Sequence, residues 1–224
     1  WALGGTEAVW LGITSNWNTA SNWSTNAVPG IGVEVVIPGS CTGAWPKLTA
    51  DANLGTGKIT VQAGASLDLA GFTLTAATLD VQGKLRLTGT ESLAGITTLT
   101  TGSQTITEYY GTGTTAEWES KTLSVFNNIT ILSGSSITQS GNISVEGNFI
   151  NGGTFVQGGT ISFEGNFTNN GTFTPNAQAV TFSPASVSII SGSGAVTFSS
   201  LLCTGQAGKT LTINRAITIS GTTG

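Results

Sequence analysis

A thirteen-residue segment that occurs twice limits the folds open to this chain. Residues 143–155 read ISVEGNFINGGTF and residues 161–173 read ISFEGNFTNNGTF, so ten of thirteen positions are identical at an offset of 18 residues. Looser copies of the same strand begin at Val180 and Val196, each reading VTFS. Self-similarity at a period of about 20 residues is typical of repeat architectures, in which each copy packs on the next.

Apolar and polar residues alternate within each copy. Ile143, Val145 and Phe149 fall on one face of a predicted strand, whereas Ser144 and Glu146 fall on the other. A period of two indicates a β-strand, and the Gly and Asn-Gly pairs that follow each short run indicate turns. No segment shows the sustained three-and-four spacing of an amphipathic helix, so the sequence predicts an all-β protein.

Two all-β architectures accommodate short strands of this kind. If each repeat is one coil of a solenoid, identical residues stack in register on neighbouring coils, as they do in cross-β assemblies. The predicted stacked pairs are Phe149 with Phe167, Asn148 with Asn166, and Asn151 with Asn169. The near-identical copies therefore favour a single-stranded, right-handed parallel β-helix, and an antiparallel β-sandwich or barrel is the alternative.

Composition excludes several classes of function. Only 8% of residues are charged, the net charge is −4, and the chain contains seven basic residues. Nucleic-acid binding requires clustered Lys and Arg, so we expect no nucleic-acid partner. No apolar run approaches the ~20 residues of a membrane helix, so we expect no membrane span. Cys41 and Cys203 lie near opposite ends of the chain, which predicts two free and mostly buried thiols rather than a disulfide.

The N-terminal residues 1–38 form a segment of different composition. Trp10, Trp17 and Trp23 recur there without the downstream repeat. The end of a solenoid presents an open sheet edge and apolar side chains, and terminal repeats are therefore atypical. We expect residues 1–38 to be an N-terminal tryptophan-rich cap and residues 39–224 to form the β-helix rungs. Tryptophans that stack on sugar rings are the alternative for this segment.

The same segment carries a resemblance to known proteins. Its motifs are Trp10-x-Gly12, Ser15-Asn16-Trp17, Asn22-Trp23-Ser24, and Pro29 leading into Val33–Pro38. This pattern resembles the capping segment of bacterial, Bacteroidetes-like, cell-surface parallel β-helix repeat proteins, and the GNF-x-N-x-GTF repeats resemble their rungs. Those proteins are related in architecture to filamentous-haemagglutinin-like and autotransporter-passenger adhesins. The resemblance implies export to the extracellular space or outer cell surface, and it specifies no receptor.

Residues 102–127 break the repeat, and the sequence predicts a loop or hairpin that leaves the coil there. Loops carry binding residues more often than regular strands do. The candidate ligand-binding residues are Tyr109, Tyr110, Glu117, Trp118 and Glu119. The alternative is an insertion that only covers one side of the core.

A catalytic site is not indicated. The chain has no histidine, which excludes histidine-based triads and histidine metal sites. Glu146 and Glu164 occupy the same repeat position, at a spacing compatible with a retaining glycosidase pair or a weak calcium site. Their neighbours are Ser, Asn and Gly, however, and two solvated glutamates are the simpler interpretation. We expect no catalytic residue, no metal ion and no cofactor, and hence not an enzyme.

Three hypotheses for function follow. The first is a non-enzymatic structural or adhesive segment, a rigid scaffold whose partners are host or environmental glycans or surface proteins and which associates end to end. The second is a carbohydrate-binding or polysaccharide-active β-helix module. The third is an ice-binding solenoid, suggested by Thr-x-Thr triplets that the Ser-x-Glu repeats are expected to interrupt. These triplets are Thr73–Thr75, Thr98–Thr100, Thr105–Thr107 and Thr210–Thr212.

Overall fold

The chain folds almost entirely into short parallel β-strands. The computed structural model describes residues 7–122, 124–184, 186–205 and 207–221. The chain divides into two compact units, residues 1–106 and residues 107–224. In each unit a strand pairs with the equivalent strand of the next turn, and every strand pair described is parallel. The predicted parallel β-solenoid is therefore confirmed, and the antiparallel sandwich is wrong.

The first unit consists of short strands in three sheet segments. Its strands are β1 (Glu7–Val9), β2 (Glu34–Ile37), β3 (Ala52–Asn53), β4 (Lys58–Val61), β5 (Ser66–Asp68), β6 (Leu74–Thr75), β7 (Thr78–Val81), β8 (Lys84–Leu87), β9 (Leu93–Ala94) and β10 (Thr98–Thr101). Within this unit the strand orders are β1-β2-β4-β7-β10, β3-β6-β9 and β5-β8. A single 3₁₀ turn, Ala20–Asn22, is described between β1 and β2.

The core of the first unit is a stack of aliphatic side chains. Ile59 and Val61 of β4 are buried and pair with Leu79 and Val81 of β7, which are also buried. The residues between them face outward, so the strands show the alternation that a one-sided core requires. Burial of aliphatic groups on one face of every strand stabilises this unit.

The second unit contains the thirteen-residue repeat. Its strands are β11 (Ile106–Tyr109), β12 (Thr112–Thr114), β13 (Val125–Phe126), β14 (Asn128–Ile131), β15 (Ser136–Thr138), β16 (Ile143–Val145), β17 (Phe149–Asn151), β18 (Thr154–Val156), β19 (Ile161–Phe163), β20 (Phe167–Asn169), β21 (Thr172–Thr174), β22 (Ala179–Phe182), β23 (Val187–Ser191), β24 (Thr197–Phe198), β25 (Ser200–Cys203), β26 (Thr210–Ile213) and β27 (Thr218–Ile219). One helix, α1 (Ala116–Thr122), lies between β12 and β13.

Each turn of the second unit contributes strands to separate sheets. Within this unit the strand orders are β11-β14-β17-β20-β23-β26, β12-β15-β18-β21, β13-β16-β19-β22-β25 and β24-β27. The thirteen-residue repeat supplies one strand to each of the first three sheets, so each copy makes most of one turn. The repeat is therefore one coil, as the sequence predicts.

Aromatic rings stack along the core of the second unit. Phe149 lies over Phe167 with ring centroids 5.3 Å apart and ring planes 1° apart. Phe155 lies over Phe173 at 5.9 Å and 18°. All four rings are at most 5% exposed, which confirms the predicted phenylalanine stack.

Glycines of the repeat are required by close approach between turns. A Cβ atom at Gly165 would overlap the backbone carbonyl of Gly147, and one at Gly171 would overlap the carbonyl of Gly153. These glycines occupy equivalent positions in the two copies, directly before the Asn-Phe and Thr-Phe pairs. Glycine is therefore retained in both copies because no side chain fits between the turns.

Asparagine side chains form two ladders along the second unit. On the outer face Asn166 Nδ2 donates to Asn148 Oδ1 at 2.9 Å. On the inner side Asn151 Nδ2 donates to Asn169 Oδ1 at 2.7 Å, and both residues have no exposed surface. Asn169 Nδ2 in turn donates to the carbonyl of Ala195 at 2.8 Å, which links it to a third turn. Both predicted asparagine pairs are confirmed.

Replacement of the inner ladder asparagine should be costly. We expect Asn169→Ala to lower the free energy of unfolding by about 1–3 kcal/mol, because it removes two hydrogen bonds between turns, one from the buried Asn151 amide to Asn169 and one from Asn169 to the Ala195 carbonyl. Urea denaturation followed by far-UV circular dichroism measures the change. Asn148→Ala is the matched control, since water replaces its exposed partners, and its effect should stay within about 0.5 kcal/mol. Equal effects of the two variants would contradict a structural role for the inner ladder.

The N-terminal segment includes more than a cap. β1 and β2 pair in parallel with each other, and β2 pairs with β4, so part of residues 1–38 already belongs to a sheet. Trp10, Trp17 and Trp23 are each 1% exposed. Their rings meet edge to face, with centroids 4.9 Å apart for Trp10–Trp23 and 4.7 Å for Trp17–Trp23. This cluster fits the predicted cap. Residues 1–6 of the segment lie outside the described residues.

Two predictions need correction in detail. Residues 102–127, expected to leave the coil as a loop or hairpin, supply β11, β12 and β13, and α1 is the segment that departs from the strand pattern. β12 pairs with β15, and β13 pairs with β16.

Cys41 and Cys203 are free, as expected, but Cys41 is half-buried and Cys203 is exposed, so the prediction of mostly buried thiols is wrong.

Candidate functional site

Helix α1 places three of the five predicted ligand-binding residues. It begins after Thr115, whose backbone carbonyl accepts the first helical hydrogen bond from the N–H of Glu119 at 3.1 Å. Glu117 and Glu119 lie in the first turn and Lys121 in the last, an arrangement that complements the helix dipole. The charges that suggested a binding loop are thus the charges that a short helix favours.

Glu119 is committed to the backbone of a neighbouring turn. Its carboxylate accepts hydrogen bonds from the Thr115 hydroxyl, from the N–H of Gly141 at 2.8 Å and from the N–H of Ser140 at 3.3 Å. The residue is 9% exposed. A carboxylate held in this way fastens α1 to the turn after β15 and has little surface left for a ligand.

Two of the three predicted aromatic residues lie in the core. Tyr109 at the end of β11 and Trp118 in α1 are each 1% exposed, and Trp118 packs near Phe126 with ring centroids 6.2 Å apart. Tyr110 and Glu117 are partly exposed. Of the five candidate residues, Tyr110 and Glu117 are therefore the ones with surface that a ligand could touch.

Glu91, a buried acidic residue of the first unit, also has a structural role. Glu91 is 5% exposed, and its carboxylate is surrounded by donors from two turns. Oε1 accepts from the N–H of Gly71 and from the N–H and hydroxyl of Thr88, and Oε2 accepts from the N–H of Gly89 and Thr90. This carboxylate organises a turn, as a bound anion does in a backbone nest.

A charged column runs along one face of the first unit. Lys47 pairs by a parallel bridge with Asp68, which pairs in register with Arg86. Arg86 Nη1 lies 3.0 Å from Asp68 Oδ2, and Asp68 Oδ1 accepts from the N–H of Ala70 at 2.9 Å. Because the Asp68 side chain is 6% exposed, this ion pair is a structural contact between turns.

The repeated glutamates do not form a recognisable site. Glu146 and Glu164 follow β16 and β19, whose register places them on neighbouring turns. Glu146 is exposed and its Oε2 accepts from Asn127 Nδ2 at 3.1 Å. Among the described residues there is no group of three or more His, Cys, Asp or Glu side chains that could hold a metal ion. Nor does the part of the chain that the structure describes include a helix of sufficient length and apolar character to cross a bilayer.

One face of the second unit carries an ordered array that the sequence analysis missed. β12, β15, β18 and β21 pair in register, and their outward residues form two columns. The first column is Thr112, Ser136, Thr154 and Thr172, and the second is Thr114, Thr138, Val156 and Thr174. We call these eight residues the threonine face. Their side chains are exposed or partly exposed.

The hydroxyls of the threonine face are largely uncommitted within the protein. Thr114 Oγ1 accepts a long hydrogen bond of 3.4 Å from the N–H of Ala116. Within the described residues, the other six hydroxyls of the face make no hydrogen bond to another group of the chain. Some hydroxyls on other faces have partners, namely Thr168 with Ser191 at 3.0 Å and Thr204 with Ser183 at 3.2 Å.

A signal for this face was present in the sequence. The GTF motif ends each thirteen-residue copy, and Thr112-Gly-Thr114 and Ser136-Ile-Thr138 precede the copies at comparable offsets. The four Thr-x-Thr triplets that suggested ice binding in the sequence are not part of the threonine face. Thr105 and Thr107 are buried at 1% exposure, and Thr100 pairs with Asp80 instead of another threonine. The glutamates expected to interrupt the ladder follow strands of a separate sheet, because each coil contributes to several sheets.

Comparisons with known proteins found no relative of this chain. No family model, no curated protein and no solved structure matches the chain.

Proposed function

We propose that this chain is a non-enzymatic structural or adhesive segment of an exported bacterial surface protein, and that it acts as a rigid β-solenoid scaffold. One observation carries the proposal. Several buried polar side chains of the described residues join consecutive turns, namely those of the inner asparagine ladder and the carboxylates of Glu91 and Glu119. Side chains that are fully engaged in this way resist separation of the turns.

Buried side-chain amides extend this support along the second unit. Gln139 Nε2 donates to the carbonyl of Thr160 on the next turn at 3.0 Å, and Gln157 Nε2 donates to the carbonyl of Ala179 on the following turn at 3.3 Å. Both glutamines are 1% exposed. A scaffold that transmits load needs such links between turns, because apolar packing alone has no preferred direction.

A carbohydrate-binding or polysaccharide-active module is the alternative function. Sugar recognition by aromatic stacking needs exposed rings, and Trp10, Trp17, Trp23, Tyr109 and Trp118 are each 1% exposed. Of the five candidate ligand-binding residues, Tyr110 and Glu117 are the ones that a glycan or a surface protein could still contact. End-to-end association stays a prediction, supported by the half-exposed Leu202, Ile213 and Ile219 of β25, β26 and β27.

Single-molecule force spectroscopy tests the scaffold proposal. The chain is held by its two termini and extended at constant speed, and we expect a defined force peak as the turns of the second unit separate. Asn169→Ala should lower the rupture force, because it removes a buried link between turns, whereas Asn148→Ala should leave it unchanged. Extension without a force peak would contradict a load-bearing role.

A glycan screen on the same preparations covers the alternative. Cleavage of a polysaccharide by the intact chain would contradict the non-enzymatic proposal. Glycan capture that is lost on Tyr110→Ala or Glu117→Gln, at unchanged circular dichroism, would support the carbohydrate-binding module instead. Both substitutions alter partly exposed residues, so they test recognition with little effect on the core.

A further inference from the structure

We propose that the threonine face of the second unit binds ice. The face consists of β12, β15, β18 and β21, and its outward residues repeat on four consecutive turns. Six of its eight residues are threonines, and the other two are Ser136 and Val156. Ser136 keeps the hydroxyl of threonine without its methyl group, and Val156 keeps the branched shape without the hydroxyl.

The register of the strands fixes the spacing of the array in two directions. Neighbouring parallel strands lie about 4.7–4.9 Å apart, which sets the distance along each column. Residues two apart on one strand are separated by about 6.6 Å, twice the rise of about 3.3 Å per residue, which sets the distance between the columns. A partner that meets all eight positions alike must repeat in two dimensions, so it is a crystalline surface. Oxygen atoms on faces of hexagonal ice repeat at distances close to these two.

The chemistry of the face selects ice among crystalline surfaces. β12, β15, β18 and β21 contain no charged residue, so the face has no charged group to pair with the ions of a mineral surface. The aromatic residues of these strands are Phe155 and Phe173, which are buried, so no ring is offered to the sugars of a crystalline polysaccharide. What remains outside is hydroxyl and methyl groups, which suit a neutral lattice of hydrogen-bonded water.

The protein side of the interface is already ordered. Ile137, Phe155 and Phe173 lie directly beneath the outer residues and are at most 5% exposed. The Phe155 and Phe173 rings are stacked, which holds β18 and β21 in register. Because threonine and valine are restricted at χ1, their side chains lose little freedom when they bind.

The absence of hydrogen-bond partners for these hydroxyls among the described residues of the protein also points to an external partner. In the described part of the chain, the hydroxyls of Thr112, Thr138 and Thr172 have no hydrogen-bond partner within the protein, and those of Ser136, Thr154 and Thr174 share this property. On the neighbouring sheet, by contrast, Asn148 and Asn166 bond to each other. The threonine face therefore presents six hydroxyls whose bonding capacity is directed outward, in two columns side by side.

Ice recrystallisation in a frozen sucrose solution tests the proposal directly. We expect the intact chain to slow crystal growth and to shape single ice crystals into faceted forms. Thr138→Lys, at an exposed position in the middle of the face, should raise the concentration needed for the same inhibition by more than about tenfold, the factor that corresponds to about 1.4 kcal/mol. A charged and longer side chain there interrupts both the spacing and the neutrality of the array.

Thr100→Lys is the matched control. It makes the same change at an exposed threonine of a Thr-x-Thr strand, but that threonine pairs with Asp80 and belongs to no threonine ladder. We expect this variant to retain full inhibition. Circular dichroism and urea midpoints of all three proteins establish that they are folded alike.

Three results would overturn the proposal. Crystals that grow as in buffer with the folded, intact chain would show that the face does not bind ice. Equal inhibition by the intact chain and Thr138→Lys would place any activity elsewhere. Sedimentation of the chain with insoluble cellulose or chitin that is lost in Thr138→Lys, without an effect on ice, would assign the face to a polysaccharide surface.

Discussion

Phe167→Ala is expected to lower the free energy of unfolding of the second unit by about 3–5 kcal/mol, the range for removal of a fully buried aromatic ring. Phe167 has no exposed surface. Five other rings surround it with centroids 5.2–6.3 Å away, namely Phe149, Phe163, Phe173, Phe182 and Phe198. The cavity cannot close easily, because these rings are held by strands on three sides of the coil.

Chemical denaturation followed by far-UV circular dichroism measures this loss as a lower urea midpoint. Ile150→Ala is the control, because Ile150 lies on the adjoining strand β17 but is 40% exposed. Its replacement should cost less than about 1 kcal/mol. If Phe167→Ala were no more harmful than Ile150→Ala, the aromatic stack would not be the main support of this unit.

Trp23→Ala is the second substitution with a large expected effect, about 3–5 kcal/mol on the first unit. Trp23 is 1% exposed and lies between Trp10 and Trp17, in edge-to-face contact with both. Its Nε1 also donates to the backbone carbonyl of Trp17 at 2.9 Å. Truncation therefore removes the ring that joins the other two and leaves a buried carbonyl without its donor.

Thermal and urea unfolding of the intact protein check this expectation. Trp23→Phe should have an intermediate effect, because it keeps an apolar ring but loses the hydrogen bond to Trp17. Ile13→Ala, at a residue 66% exposed, should change stability by no more than about 0.5 kcal/mol. A wild-type midpoint for Trp23→Ala would mean that the tryptophan cluster covers the first turns without stabilising them.

The fold could be predicted because its repeat and its alternation have direct physical meanings. Copies that are identical at an offset of 18 residues stack residue on residue, and the register Phe149–Phe167 and Asn151–Asn169 follows from the alignment of the copies alone. The position of helix α1 could not be predicted in the same way. Seven residues are too few for a clear helical period, and the charges at its ends look equally suited to a loop.

The candidate site was predicted less well, because composition does not reveal which side of a coil a residue faces. Trp118 and Tyr109 were selected as aromatic residues of an irregular segment, yet both belong to the core. The threonine face was not predicted from the sequence for a related reason. A coil contributes to more than one sheet, and residues such as Thr114 and Thr138 become neighbours only once each strand is assigned to its sheet.

The 18-residue offset has a consequence for how such a protein changes its length. In the second unit Ile143, Val145 and Phe149 occupy the positions that Ile161, Phe163 and Phe167 occupy one turn later. Loss or gain of one 18-residue segment would therefore join equivalent points of the coil and leave every surviving strand facing the same way. Insertion or deletion of a single residue inside a strand would instead turn the core side chains outward. Insertion or removal of a complete turn therefore changes the length of the solenoid and preserves the register of its core.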